Sequence, residues 1–209
     1  MAGENSKVDD YGWKNTEKAC SHAYLEPAIL GCCRTLNIKR VLDLGCGNGA
    51  LCNTLFKAGY EVTGCDADEK GVQLARQNNP TVTFKAIGVY DSPGSIGRAD
   101  FDAVVSAEVI EHLFFPRYLP RFAHAVLKPG GYLIISTPYH GYAKNLALSV
   151  INKWDSHHNP LWDGGHIKFW SRPMLTRLLE EEGFVVKSFM GVGRLPYLWK
   201  SMILVAQKV

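Results

Sequence analysis

Three ionisable side chains crowd into one short stretch, Ser106-Ala-Glu-Val-Ile-Glu-His-Leu113: Glu108, Glu111 and His112. Charges this close are expensive to desolvate unless they pair or hold a cation. If the stretch forms a helical turn, Glu108 stands at i, with Glu111 and His112 at i+3 and i+4. All three would then share a face. Two carboxylates and an imidazole make half a shell for a divalent cation. The ordinary alternative is electrostatic: acids at a helix N-terminus gain about 0.3–1 kcal/mol from its dipole, and His112 would cap the next turn. From these residues alone the two readings stand even.

A second constellation lies upstream. Val41-Leu-Asp-Leu-Gly-Cys-Gly-Asn-Gly49 reads as a buried strand running into a glycine turn and then a helix. Glycine lets a ligand approach the backbone closely. Asp66 ends the next apolar segment about 20 residues on, where an acid meets ribose hydroxyls in nucleotide-binding sheets. A dinucleotide site would show G-x-G-x-x-G. Here the order is Gly45-x-Gly47-x-Gly49, with Asp43 two residues before the first glycine. A carboxylate there suits a ligand carrying a positive ammonium and sulfonium better than a pyrophosphate.

The elements that must position these groups follow from hydrophobic patterning. Val41–Leu44, Val62–Cys65, Val82–Ala86, Phe101–Ser106 and Tyr132–Ser136 read as buried parallel strands. Helices are expected over Ala50–Ala58, Glu69–Asn78 and Pro116–Leu127, the last followed by a Pro129-Gly130-Gly131 turn. Strands alternating with helices predict right-handed crossovers and a doubly wound α/β sheet. A further helix runs from its cap Ser171 to Glu182. Phe184–Met190 and Met202–Gln207 are expected to pair as an edge hairpin. Residues 1–39 read as a helical N-terminal cover, with Trp13, His22 and Tyr24 placed to shield a pocket. Residues 137–170 read as an insertion holding a helix, Ala143–Trp154, and a His-, Trp- and Gly-rich loop. Long loops inside compact domains are usually functional. The whole, 1–209, is expected to be a single domain.

Composition narrows the classes. With 46% hydrophobic and 21% charged residues the chain can bury a core. A formal net charge of +3 is too mild to imply a nucleic-acid partner. The six cysteines contain no Cys-x-x-Cys pair and read as free thiols packed as small apolar residues. The polar, mixed-charge start is unlike a signal peptide. No apolar run approaches the ~20 residues of a spanning helix. These features predict a cytoplasmic protein.

Asp-x-Gly-x-Gly-x-Gly resembles the first motif of class I S-adenosylmethionine-dependent methyltransferases, and Leu127-Lys-Pro-Gly-Gly-Tyr-Leu-Ile-Ile135 resembles their later strand motif. The resemblance runs from about Arg40 to the C-terminus. It implies a Rossmann-like seven-stranded sheet with its last strand antiparallel. It also implies S-adenosylmethionine as cofactor, held by Asp43, Gly45, Cys46, Gly47, Asp66, Ala67, Val89, Tyr90 and Ala107. Gly45 and Gly47 would pass close to the methionine moiety, Asp66 would accept from both ribose hydroxyls, and Ala67, Val89 and Tyr90 would lie at the adenine. For Tyr90 the ordinary alternative is a loop aromatic packed on the sheet edge.

Glu-x-x-Glu-His with a distant His before a helix resembles two groups, the ubiquinone-biosynthesis O-methyltransferases and the small-RNA 2′-O-methyltransferases. That resemblance implies a divalent-metal site at Glu108, Glu111, His112 and His166, and it tips the balance toward the ligand reading. Two oxygens and two nitrogens favour Mg²⁺ and also admit Mn²⁺, Zn²⁺ or Co²⁺. The expected activity is metal-assisted methyl transfer to a hydroxyl of a small molecule: a phenol or catechol, lipid-tailed or not, or a sugar. Glu111, His166 and His140 are the expected catalytic residues, the histidines as proton relays. His157 and His158 are expected in a solvated loop, and Trp154, Trp162 and Trp170 near the mouth. Leu146, Ala147, Val150 and Ile151 share a helix face, expected to pack on its own domain and less readily to touch a membrane. An RNA 2′-O-methyltransferase and a non-catalytic S-adenosylmethionine-binding module are the competing readings.

Overall fold

The computed structural model describes residues 12–13, 15 and 17–209; the part of the N-terminal cover before them lies outside the described residues. β1 (Arg40–Leu44), β2 (Glu61–Asp66), β3 (Thr83–Ala86), β4 (Phe101–Ala107) and β5 (Leu127–Pro138) are parallel, as their continuous apolar runs predict. α2 (Ala50–Lys57) and α3 (Glu69–Asn78) connect the first three. Asp68 caps α3, its carboxylate accepting the N–H groups of Lys70 and Gly71 at 2.9 and 3.2 Å. α4 (Tyr118–Val126) leads into β5, and α5 (Tyr142–Val150), α6 (Trp154–His158) and α7 (Arg172–Glu181) follow it.

The chain closes with β6 (Phe184–Val192) and β7 (Ser201–Lys208). The sheet has seven strands in the order β3-β2-β1-β4-β5-β7-β6, and β7 runs antiparallel to both neighbours. The expected hairpin forms at the sheet edge, its second strand beside β5 and its first strand outermost. One face of the sheet buries Leu119 and Phe122 of α4 and Leu175 and Leu179 of α7. The other buries Leu55 of α2, Val72 of α3, and Leu25 and Ile29 of α1 (His22–Thr35). Strand order reverses between β1 and β4, the place where open α/β sheets bind ligands.

Three local expectations are corrected. Pro129-Gly130-Gly131 is not a free turn but an outward bulge inside β5, between the pairs Phe101↔Leu127 and Ala103↔Tyr132. The single helix expected over Ala143–Trp154 is two, because Asn152 adopts a left-handed φ of 50° that breaks the first. Its apolar face is not packed on the domain: Leu146, Val150 and Ile151 are exposed, and the residue α5 buries is Lys144. No helix among the described residues is long and apolar enough to cross a membrane.

Candidate active site

The carboxyl ends of β1, β2 and β4 open on a cavity of about 500 Å³, within the range of about 300–1,000 Å³ typical of small-ligand sites. Asp43, Gly45, Cys46 and Gly47 line it from β1 and its turn, Asp66 and Ala67 from the end of β2, Val89 from beyond β3, and Ala107 and Glu108 from the end of β4. Sequence reading missed Asn48, Leu51, Gly88 and Val109. Of these, Asn48 carried a usable signal, standing between the second and third glycines. Its side-chain amide donates to the carbonyls of Asn15 and Glu17 and ties the N-terminal segment to the turn. Trp13 and His22 line the cavity as expected covers; Tyr24 does not, its hydroxyl lying 3.4 Å from Ser201 Oγ.

The cradle is organised around two buried acids. Asp66 accepts the Gly47 N–H on Oδ2 at 2.7 Å and the Asp68 N–H on Oδ1 at 2.9 Å, leaving each oxygen capacity for another donor. Burial raises its pKa against those backbone bonds. Asp43 is 1% exposed and accepts the Cys52 thiol at 3.1 Å. Burial pushes its carboxyl up to about 7 despite the thiol, and the charge of Asp66 adds to the push. Gly47, at φ +50°, has no room for a side chain, since a Cβ would meet the Trp13 ring at 2.4 Å. Tyr90 departs from expectation. It stands outside the cavity, its hydroxyl accepting the Phe115 N–H at 3.2 Å and its ring packed edge-on against Phe115 and Tyr118.

The acidic stretch after β4 does not form one helical turn. Glu108 takes a left-handed φ of 57°, and only Ile110–His112 makes a short 3-10 turn. Glu108 is thereby turned from the shared face, its carboxylate bound by the Ser136 and Ser201 hydroxyls at 2.8 and 3.1 Å. Glu111 is 1% exposed; its Oε2 accepts the Thr137 hydroxyl at 3.0 Å, while Oε1 is buried without a partner. The Glu111 carbonyl accepts the N–H groups of Ile167 and Lys168 at 2.9 and 3.0 Å, which anchors the loop carrying His166. His112 Nδ1 lies 2.8 Å from the Gly164 carbonyl. A neutral ring donating there carries its lone pair on Nε2.

One ligand atom from each of Glu111, His112 and His166 lies within 4.8 Å of the others, with Glu111 Oε1 and His166 Nε2 4.0 Å apart. Glu108 is not part of this group, so three of the four expected ligands converge. Burial, reinforced by the charge of Glu108, raises the Glu111 carboxyl well above the ordinary range. Burial lowers the pKa of His112, and lowers that of His166 to about 4 with help from His112. A cation is the ligand that would restore the Glu111 carboxylate and use both imidazole lone pairs, so the donor set fits a divalent ion. Trp162 edges both rings, at centroid distances of 5.7 and 5.4 Å. It is the one tryptophan of the expected three in the cavity wall; Trp170 is buried and Trp154 packs on His158. His140 does not line the cavity. It is buried against His157 and His158, which lie in α6 rather than in a loop.

Comparison with known proteins agrees with the fold. A family model described as a methyltransferase domain matches residues 15–188. A ubiquinone biosynthesis O-methyltransferase of Chromobacterium violaceum is 30% identical over 164 residues, covering 76% of this chain and 69% of that protein. The protein of the same name from Bordetella pertussis is 36% identical over 111 residues, 49% of this chain and 44% of the relative; the match thus spans less than half of the Bordetella protein's length. Among solved structures, magnesium protoporphyrin IX methyltransferase from Synechocystis PCC 6803 with bound SAH superposes with a TM-score of 0.67 at 20% identity, covering 88% of this chain and 82% of that one. The [4+2]-cyclase SpnF superposes at 0.69 with 16% identity, covering 93% and 84%. The last pair share a fold, and a fold does not dictate the reaction.

Proposed function

The chain belongs to the methyltransferase domain family and is an S-adenosylmethionine-dependent methyltransferase, and from that premise we propose that it methylates a hydroxyl of an aromatic small molecule, assisted by a divalent metal. The observation that carries the reading is the buried, unpartnered Glu111 Oε1 grouped with two imidazoles, in the short turn that follows β4. Similarity to ubiquinone biosynthesis O-methyltransferases supports a hydroxyl acceptor.

In this reading Asp66 receives the ribose hydroxyls on its remaining acceptor sites and Asp43 faces the ammonium. Gly45 and Gly47 bring backbone against the methionine moiety, and Ala67 and Val89 bound the adenine. Ala107 and Glu108 end the strand that adjoins this cradle. Alignment of acceptor and cofactor contributes most of the rate, since proximity supplies about 7–11 kcal/mol of such barriers. Glu111, His112 and His166 would hold the metal. When bound, it would lower the proton affinity of a hydroxyl and stabilise the negative charge developing there. His166, kept neutral by burial, would give its lone pair to the metal rather than to a proton. His140, which does not line the cavity, has no relay role in this reading. Trp162 supplies a flat wall for a planar acceptor. The exposed Leu146, Val150 and Ile151 suit an acceptor with an apolar tail or its membrane source.

Incubating the protein with labelled S-adenosylmethionine and a panel of catechols, phenols, sugars and RNA ends, with and without EDTA, tests the reading. Label in a phenolic ether that disappears with EDTA and returns with Mg²⁺ is expected. Label in RNA ends alone, or transfer unaffected by EDTA, would overturn the substrate class or the metal respectively.

A further inference from the structure

A second group of metal-ligating side chains lies outside the cavity. His140 follows β5, His157 and His158 end α6, and one ligand nitrogen from each lies within 4.8 Å of the others. Two ring nitrogens of this trio, His140 Nε2 and His158 Nε2, are buried with no hydrogen-bond partner. Leaving one such atom unsatisfied costs about 1–3 kcal/mol, and here two occur together. The Asn145 side chain acts on His140 through a side-chain hydrogen bond. Aromatic rings pack against His140 and His158. Trp154 stacks on His158 at 4.7 Å, and Phe169 packs edge-on against His158 and His140 at 4.6 and 5.1 Å.

We propose that His140, His157 and His158 form a second metal site, for a zinc-type transition ion, distinct from the group at Glu111. Three imidazoles with no carboxylate select Zn²⁺ and similar borderline ions over Mg²⁺, which demands oxygen ligands. Three protein nitrogens also leave a fourth position open. Zn–N distances of about 2.0–2.1 Å place tetrahedral nitrogens about 3.4 Å apart. The trio must therefore close by up to about 1.4 Å relative to its 4.8 Å limit. His157, exposed on the five-residue helix α6, can supply that movement. Partial desolvation lowers His140 to about 3 and His157 to about 4 and lowers His158 in the same direction, so at neutral pH the His140 and His157 lone pairs are open to an ion. Lys144 is the opposing group. It is buried, acts electrostatically on all three histidines, and has its ammonium 3.4 Å from the Lys200 carbonyl.

Zinc titration of the metal-stripped full chain against a chromogenic chelator, with Co²⁺ spectra alongside, tests the proposal. His157→Ala/His158→Ala should lose one equivalent of zinc and the four-coordinate Co²⁺ bands, while S-adenosylhomocysteine binding persists as proof of an intact fold. Glu111→Ala/His166→Ala should leave that equivalent in place, and Lys144→Met should tighten it several-fold. Unchanged stoichiometry in the His157/His158 variant overturns the proposal. So does a single equivalent lost in both double variants, because the two groups would then share one ion.

Discussion

Lowering the pH from 8 to 6 should weaken cofactor binding through Asp43. Burial holds this carboxyl at about 7 in the empty cavity, and the cofactor's ammonium is attracted only to its ionised form. Protonation therefore competes with the cation, and affinity falls as pH falls. Above pH 7 the carboxylate is already present and affinity is level. Below it, each pH unit removes about tenfold of the ionised form, about 1.4 kcal/mol, so affinity at pH 6 should sit about tenfold under the plateau. His166, lowered to about 4, remains neutral across this window, and burial lowers His112 in the same direction. Glu108 also lines the cavity with a raised pKa, so Asp43→Asn is the deciding variant. It removes a charge-assisted contact worth about 1.5–3 kcal/mol, roughly a tenfold to 150-fold loss at pH 8, and should flatten the profile. Isothermal titration with S-adenosylhomocysteine from pH 5.5 to 8.5 reads both effects. Asp43→Asn with wild-type affinity at pH 8, or with the tenfold acid loss intact, refutes the role given to Asp43.

Other substitutions probe the remaining parts. Asp66→Ala should cost more cofactor affinity than Asp43→Asn, because it removes the ribose acceptor and frees the Gly47 N–H that shapes the turn; equilibrium binding measures it. Gly47→Ala places a methyl 2.4 Å from the Trp13 ring at a positive φ, so Trp13 must move; a shifted intrinsic fluorescence spectrum and weaker cofactor binding are expected together. Glu111→Gln should bind S-adenosylhomocysteine normally yet lose more than the 10–100-fold typical of disturbing a metal's outer partners; steady-state kinetics on the best phenol would show it. Leu204→Ala, at a fully buried position of β7, should destabilise by about 2–5 kcal/mol, lowering the unfolding midpoint by roughly 5–15 °C while leaving cofactor affinity intact.

The cofactor cradle was legible because its information is local. The strand from Val41, the glycines after it and Asp66 at the end of β2 lie within 26 residues, and hydrogen bonds between Gly45, Gly47 and the end of β2 follow from that adjacency. The alternation of strands and helices was likewise enough for a doubly wound sheet. The candidate metal group was only half legible. Glu111, His112 and His166 converge, but a helical turn was assumed where Glu108 sits at positive φ, held by hydroxyls from β5 and β7. Nothing near Glu108 in the chain announces Ser201, 93 residues away.

By itself the sequence determined what short-range physics encodes: strands buried on both faces, a turn with three glycines at positive φ, an acid at the end of the next strand, and imidazoles and carboxylates in proximity. The tertiary structure alone decided the rest. It set β7 between β5 and β6, broke the inserted helix at Asn152, turned Lys144 inward and the apolar face of α5 outward, and left Tyr90 outside the cavity. It also brought His140 to His157 and His158. These outcomes depend on which distant surfaces meet once the sheet is assembled, and only packing in three dimensions sets those pairings.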